Sequence, residues 1–291
     1  MSSAIAAELS RAIGARVIAD SAESVGGGSI HRTLRYRTST GAVFVKQGAR
    51  DVAPMFAAEA RGLSAIAATA TIRVPAVLAQ GETEHEAFLC LEWLDFGGRS
   101  ADAALGQQLA AMHRTLGTAH GDHPDNFIGL TPQCNRSHAH WSTFFRDERL
   151  LPQLSLAREQ GADARTIERG ELLASRLDSL FGGYEPKPSL LHGDLWGGNW
   201  GTLRSGEPVI FDPAVYHGDR EADLAMTRLF GGFGAAFYGA YASSWPLESG
   251  AQQRATLYNL YHVLNHFNLF GGSYLTQARR MIDELLADVS R

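Results

Sequence analysis

Apolar residues recur along this chain with two different rhythms, and the change between them falls just after Glu92. Before it, the Ala-rich amphipathic run Ser3 to Ile13 predicts a short helix closed by Gly14. Val17 to Ala19 predicts a strand. Alternating and β-branched residues through Tyr36, and again over Ala42-Val43-Phe44-Val45-Lys46, predict two strands joined as a hairpin at Ser39-Thr40-Gly41. Met55 to Ala68 has helical spacing, with Phe56, Ala60, Leu63 and Ala67 on one face. Val74 to Ala79 and Ala87 to Glu92 read as further strands. Asp95-Phe96-Gly97-Gly98 has the composition of a linker. Beyond it helical spacing dominates, over Ala101 to Leu116, His140 to Asp147, Ala164 to Phe181, Arg220 to Tyr241, Gln252 to Leu269 and Gln277 to Val289. Short strands are expected at Leu190-Leu191 and Val209-Ile210-Phe211, and Gly121 to Ser137 has loop chemistry. The expected fold is α+β and two-lobed. A small β-rich N-lobe with one internal helix spans residues 1–92, a hinge spans 93–98, and a larger, mainly helical C-lobe spans 99–291.

Composition narrows the function. A chain of 291 residues accommodates two lobes around a cleft. Its net charge of −5, without a Lys/Arg block, argues against a nucleic-acid partner, because affinity for nucleic acid comes mainly from neutralised phosphates. Cys90 lies in an apolar run, and with Cys134 the only other cysteine, no disulfide framework or zinc site is expected. No segment approaches the roughly 18 apolar residues that would span a bilayer, and the N-terminus does not read as a secretory signal. The expected location is cytoplasmic, without a membrane partner. Nothing in the sequence speaks to oligomeric state.

The strongest chemical signal is Leu190-Leu191-His192-Gly193-Asp194-Leu195-Trp196-Gly197-Gly198-Asn199, followed by Val209-Ile210-Phe211-Asp212. An apolar strand leads into a loop carrying Asp194, Asn199 follows, and a second apolar strand ends in Asp212. Phosphoryl transfer needs one carboxylate to accept the proton of the attacking hydroxyl and hard oxygen ligands to hold magnesium against a triphosphate. The Asp-to-Asn spacing is that of the kinase catalytic loop. Asp194 is therefore the candidate base, and Asn199 and Asp212 the candidate magnesium ligands; His192 reads as a local brace. An isolated Asp and Asn in a loop would be turn chemistry, but two carboxylates and an amide at strand ends in this order form a long motif. Lys46 ends a strand as the phosphate-binding lysine of kinases does, and Glu59, on the next helix, is its candidate partner. Gly26-Gly27-Gly28 lets backbone N–H groups approach phosphate, although it matches neither a Walker A loop nor G-x-G-x-x-G.

With these residues in view, the chain resembles the fructosamine kinases (ketosamine 3-kinases), within the protein-kinase-like superfamily that includes aminoglycoside phosphotransferases and choline kinases. The resemblance runs nearly end to end. It is carried by Gly26 to Ile30, Phe44-Val45-Lys46, Met55-Phe56 through Leu63, Asp125 to Gln133 with Asn135, Trp141 with Phe144-Phe145, His192 to Asn199, Asp212-Pro213-Ala214, and Arg220 to Phe233. It implies ATP-dependent phosphorylation of the third hydroxyl of a ketosamine, with ATP and Mg2+ as cofactors and a small-molecule or protein-bound ketosamine as substrate. The unstable 3-phosphate then releases the amine, which makes the reaction a deglycating repair step. Backbone groups of Glu92, Trp93 and Leu94 are expected to meet adenine. Trp196 is a candidate for stacking on the sugar or for packing at the cleft floor. Asn265, His266 and Asn268 are candidates for the acceptor pocket or for buried polar ties, and Asp223 for bracing the catalytic loop. Some family members carry Cys where Ser29 stands, so their redox-sensitive link between subunits is not expected here. Two alternatives remain open: another small-molecule kinase of this fold, acting on an aminoglycoside or amino alcohol, and a nucleotide-binding regulator without catalysis.

Overall fold

Period-two alternation decides which face of the first sheet reaches the cleft. The computed structural model describes residues 3–26 and 31–288. Strands β1 (Glu23–Ser24), β2 (Arg32–Thr38), β3 (Gly41–Ala49), β4 (Val77–Glu82) and β5 (Glu86–Glu92) form an antiparallel sheet in the order β1-β2-β3-β5-β4. Val43 and Val45 of β3 pack with Phe88 and Cys90 of β5 against Ile5 and Leu9 of helix α1 (Ser3–Ile13). Successive side chains on a strand take opposite faces. Phe44 and Lys46 therefore face away from α1, and Lys46 stands opposite Leu89 in register. On this second face helix α2 (Ala53–Ala68) packs Phe56, Leu63 and Ile66 with Leu89 and Leu91. Val17 makes an isolated bridge to Thr38 instead of the expected strand. The strand expected from Val74 begins only at Val77: the Arg73 carbonyl is taken by the Ile210 N–H, and Pro75 has no N–H to donate to a ladder.

The remainder is mainly helical. Helix α3 (Asp102–His113) is followed by a small hairpin, β6 (Asn126–Ile128) and β7 (Thr131–Gln133), inside the segment expected to be loop. The helix expected near His140 starts as α4 (Trp141–Phe144), widens into a π turn at Phe145–Leu150, and continues as α5 (Leu151–Glu159). The run from Ala164 divides into α6 (Ala164–Ala174) and α7 (Leu177–Phe181). Strands β8 (Ser189–Leu191) and β11 (Tyr216–Gly218) pair with each other, as do β9 (Trp200–Thr202) and β10 (Pro208–Ile210). The helix expected from Arg220 to Tyr241 is two, α8 (Arg220–Leu229) and α9 (Ala235–Ser244), because Gly231 and Gly232 adopt φ of 75° and 97° between them. Helices α10 (Ala251–Phe270) and α11 (Tyr274–Asp288) complete the described chain.

One apolar cluster runs from Phe56, Leu63 and Ile66 through Leu105, Leu109 and Met112 of α3 to Leu190, Leu195 and Ile210. It fastens the sheet region to the segments that flank the site. The expected linker is itself paired: Phe96 bridges Leu203, and the Gly97 and Gly98 N–H groups both donate to the Thr202 carbonyl. Among the described residues no helix is long and apolar enough to cross a membrane.

Candidate active site

A cleft of about 430 Å3 lies between the inner face of the sheet and the β8–β11 region. Gly26, Lys46, Glu59, Glu92, Trp93 and Leu94 line it from one side, and Asp194, Trp196, Asn199 and Asp212 from the other. Gly27 and Gly28 lie outside the described residues. Asp194, Trp196, Gly198, Asn199, Phe211 and Asp212, far from Lys46 in sequence, are thus brought to the same opening.

Lys46 is buried, and its Nζ donates to Glu59 Oε2 at 2.8 Å and to Asp212 Oδ1 at 2.7 Å. Burial alone would lower the pKa of an ammonium. The charges of Asp212 and Glu59 overcome that and hold Lys46 above the ordinary lysine value, so it stays protonated. With one ammonium shared by two carboxylates, burial pushes Glu59 up to about 7, the Lys46 charge opposing the rise and Asp212 adding to it. Asp212 itself sits at φ 57°, a left-handed backbone uncommon outside glycine, which turns the chain sharply as it leaves β10.

Asp194 and Asn199 are locked together. Asn199 Nδ2 donates to the Asp194 carbonyl at 2.9 Å and to its carboxylate Oδ2 at 3.2 Å. Both amide hydrogens being directed there, the Asn199 side-chain oxygen is turned away as an acceptor. The Phe211 N–H donates to the Asn199 carbonyl at 3.0 Å, which sets Asp212 alongside. Burial raises the Asp194 pKa well above the carboxylate range, and the Asp212 charge raises it further, against the Asn199 hydrogen bond.

The loop backbone is braced from below. Asp223, near the start of α8, accepts the N–H of His192 at 2.7 Å and of Gly193 at 2.8 Å, and also meets His113 Nε2 at 3.1 Å. Burial would raise its pKa, but the His113 hydrogen bond and charge, with His192 and the Gly193 N–H, hold it below the ordinary value. His113 Nδ1 in turn meets the Tyr241 hydroxyl at 2.8 Å. His192 Nδ1 accepts the Asp194 N–H at 3.3 Å while Nε2 lies 3.0 Å from the Phe211 carbonyl, a pairing that assigns the neutral ring with its proton on Nε2. Sequence reasoning missed His113 and Tyr241; single residues on helices carry no spacing signal that would single them out.

Other expected residues fall differently. The Glu92 N–H is spent on the Ala76 carbonyl, and its carboxylate on Arg73 at 2.5 and 2.6 Å, so that N–H does not face a base. Asn265 bonds to Gln153 and to the Ile128 carbonyl, and Asn268 to Gln153, so both tie α10 to neighbouring elements rather than line the cleft. His266 also lies outside the cleft lining; its Nδ1 is 2.7 Å from the His262 carbonyl. Trp196 does line the cleft, its ring folded over Gly198, where any Cβ would overlap the indole. His31, with its ring edge-on to Phe56 at 4.9 Å, and the β6–β7 hairpin residues Asn126, Phe127 and Gly129 join the lining.

Magnesium prefers hard oxygens and binds through one or two protein groups plus phosphates rather than a dedicated protein cage. The Asn199 side-chain oxygen and the Asp212 carboxylate fit that requirement. Among the described residues no cluster of three or more His, Cys, Asp or Glu side chains could hold a metal by itself.

A family model described as fructosamine kinase matches residues 1–288. The chain belongs to the fructosamine kinase family. A probable ketoamine kinase of Synechocystis is 46% identical over 97% of this chain and 96% of its own length. A chloroplastic protein-ribulosamine 3-kinase of Arabidopsis thaliana is 44% identical over 90% of this chain and 82% of its own. Among solved structures, one from Haemophilus somnus described as a fructosamine-3-kinase superposes with a TM-score of 0.89 at 30% identity, covering 97% of this chain and 96% of that one. A choline kinase from Streptococcus pneumoniae shares the fold alone, at 14% identity and a TM-score of 0.63, over 98% of each chain. The family's fold is protein-kinase-like, as the sheet region and helical remainder of this chain are.

Proposed function

We propose that this chain transfers the γ-phosphoryl group of ATP to the third hydroxyl of a ketosamine, with Asp194 as the base and Lys46, held by Glu59, on the phosphates. The observation that carries this reading is the convergence of Lys46, Glu59 and Asp212 through 2.7–2.8 Å contacts in the cleft that also holds Asp194 and Asn199. Asp194 takes the proton of the acceptor hydroxyl as the new O–P bond forms. The bond from the γ-phosphorus to its bridging oxygen breaks, and ADP leaves. Lys46 places a fixed positive charge against the triphosphate, and the Glu59 contact fixes where that charge sits. Asn199 orients the Asp194 carboxylate and, with Asp212, offers the oxygens that would hold Mg2+. When bound, Mg2+ supplies charge neutralisation across the phosphates.

In this reading the backbone of Trp93 and Leu94 meets the adenine edge and Gly26 covers the phosphates, in keeping with their place in the cleft lining. Residues 93–98 form the connection between the two lobes, and the setting is cytoplasmic. The test is an acceptor screen at saturating ATP, with NMR assignment of the phosphorylated carbon. Turnover of ribosylated or fructosylated amines, without turnover of kanamycin or choline, is the expected result. The reverse preference would retire the ketosamine assignment and leave a kinase of another acceptor class. ATP binding without transfer to any acceptor would leave only a nucleotide-binding regulator.

A further inference from the structure

Both candidate magnesium ligands leave the β9–β10 strand pair beside Trp200. Trp200 follows Asn199 directly as the first residue of β9, and it stands opposite Ile210, the last residue of β10, two residues before Asp212. The Phe211 N–H bond to the Asn199 carbonyl extends the pairing past that point. A shift of Trp200 therefore carries Asn199 and Asp212 with it. The Trp200 side chain is anchored on a different element, the link between α8 and α9. Its indole N–H donates to the Gly232 carbonyl at 3.2 Å, and its ring stacks on Phe233 with centres 5.5 Å apart. Phe233 in turn meets the buried Phe237 of α9 at 4.8 Å, and the Gly234 N–H donates to Asp102 Oδ1 at 3.0 Å, at the start of α3. The same link touches the catalytic loop. A Cβ on Gly197 would lie 2.8 Å from the Gly231 carbonyl oxygen, so backbone meets backbone there. Gly197 and Gly198 are the middle of the turn that the Asn199 N–H closes on the Trp196 carbonyl at 2.9 Å. Asn199 is thus held from the link on both sides, through Gly197 before it and Trp200 after it.

We infer that Trp200 is a positioning residue for the metal site, fixing Asn199 and Asp212 relative to each other from its anchorage on the α8–α9 link; this rests on the kinase reading above. Trp200 is absent from the cleft lining, so it acts through the two ligands and not by contact with nucleotide or acceptor. Packing alone would be served by any large apolar side chain at this position. A ring that stacks and also donates a directed N–H to a carbonyl on another element is met by tryptophan, and phenylalanine or leucine would lose that bond. Partners that orient metal ligands are worth roughly ten- to a hundredfold in metal affinity or activity. The consequence belongs to the Mg2+ requirement, whereas the acceptor, which meets other residues of the cleft, is unaffected.

Trp200→Phe keeps a ring on Phe233 and removes the N–H, which makes it the variant to test. Two quantities are titrated with Mg2+ at fixed ATP: the turnover rate, and the rise in melting temperature that the ligands produce, which needs no turnover. The Mg2+ concentration at half-effect is expected to rise roughly tenfold in both, with the acceptor KM and the melting temperature of the ligand-free protein unchanged. An unchanged Mg2+ requirement would overturn the assignment. So would a loss of turnover that follows a lower ligand-free melting temperature and disappears on cooling, because Trp200 would then only pack. Phe233→Leu keeps the indole bond and loosens the stack. Should Trp200→Phe fail to fold, a rise in the Mg2+ requirement of Phe233→Leu supports the assignment, and no rise overturns it. A wild type that phosphorylates no acceptor, or whose melting temperature with ATP ignores Mg2+, sinks the kinase or metal reading instead, and the wild-type measurements alone reveal it.

Discussion

At the scale of single residues, the proposed base sits in an environment that opposes its charge. In the proposed role Asp194 has to be ionised to take a proton, yet burial and the Asp212 charge both favour its protonated form. Its value is therefore concentrated in the transition state, where the proton moves. Asp194→Asn is expected to lower kcat by about 10²–10⁴-fold, the range for loss of a general base, with the KM for ATP nearly unchanged. Steady-state kinetics with chemistry rate-limiting checks it, and near-normal kcat would remove Asp194 from the role. A second residue-scale effect lies away from the chemistry. Burial, with His140, His138 and His217 nearby, pushes His120 down to about 4, and burial with His266 pushes His262 down to about 3. Both are held neutral in the fold but are free to protonate near the ordinary value of 6.5 once unfolded. Their folded pKa values being depressed, their stabilising contribution is complete above pH 6.5 and is lost as pH falls toward 4. Each group contributes a slope of at most about 1.4 kcal/mol per pH unit in that window. Urea unfolding at pH 7 and pH 5 measures it, and His120→Gln is expected to flatten the dependence.

Among elements, close helix contact matters more than intrinsic propensity. Gly106 of α3 faces α9 so closely that a Cβ there would overlap the Phe237 carbonyl oxygen. In an open helix Gly→Ala gains up to about 1 kcal/mol; here the sign is expected to reverse, with Gly106→Ala costing about 1–3 kcal/mol through forced separation of α3 from α9. Thermal melts decide it, and a higher melting temperature would show that the helices have room to move apart. The same distinction explains what the sequence disclosed. The spacing of Asp194, Asn199 and Asp212 was legible because local chain geometry, a strand running into a loop, places each group. The pairing of Lys46 with Glu59 was legible too, from a lysine at the end of an apolar run followed by a helix; the face Lys46 takes follows from its alternation with Val43 and Val45. The break between α8 and α9 was masked by the helical spacing on either side, although the Gly231-Gly232 pair, left-handed in the fold, carried its signal. The β6–β7 hairpin was hidden for the opposite reason: its strands are three residues each, too short for a period, and are held by Asn126 and Gln133 bonding to the Val215 and Ala214 carbonyls. Asn265 and Asn268 read equally well as pocket residues or as ties, because a polar residue on an apolar helix announces only that it has a partner, and Gln153 supplies one from α5.

Over the whole molecule, the parts of the site are divided between regions joined by a shared apolar cluster and, along one edge, by backbone bridges. Lys46 and Glu59 come from β3 and α2, whereas Asp194, Asn199 and Asp212 come from the loops around β8–β10. The edge is stitched by the Phe96–Leu203 bridge and by the parallel bridge of Arg73 to Val209, and Arg73 also holds Glu92 at the end of β5. At the cleft, by contrast, the contact between regions at Lys46 and Asp212 is a single ion pair. A nucleotide that touches Lys46 on one wall and reaches Asp212 and Asn199 on the other through Mg2+ would add the missing connection, and its binding free energy would appear as stability of the whole chain. At a ligand concentration 100-fold above Kd the gain is about 2.7 kcal/mol. The expected observation is a rise in melting temperature of several degrees with ATP and Mg2+, largely lost when EDTA replaces the metal, and lost also in Asp212→Ala. If ATP stabilised the wild type equally with Mg2+ and with EDTA, the nucleotide would be held without the metal, and Asn199 and Asp212 would need a different role.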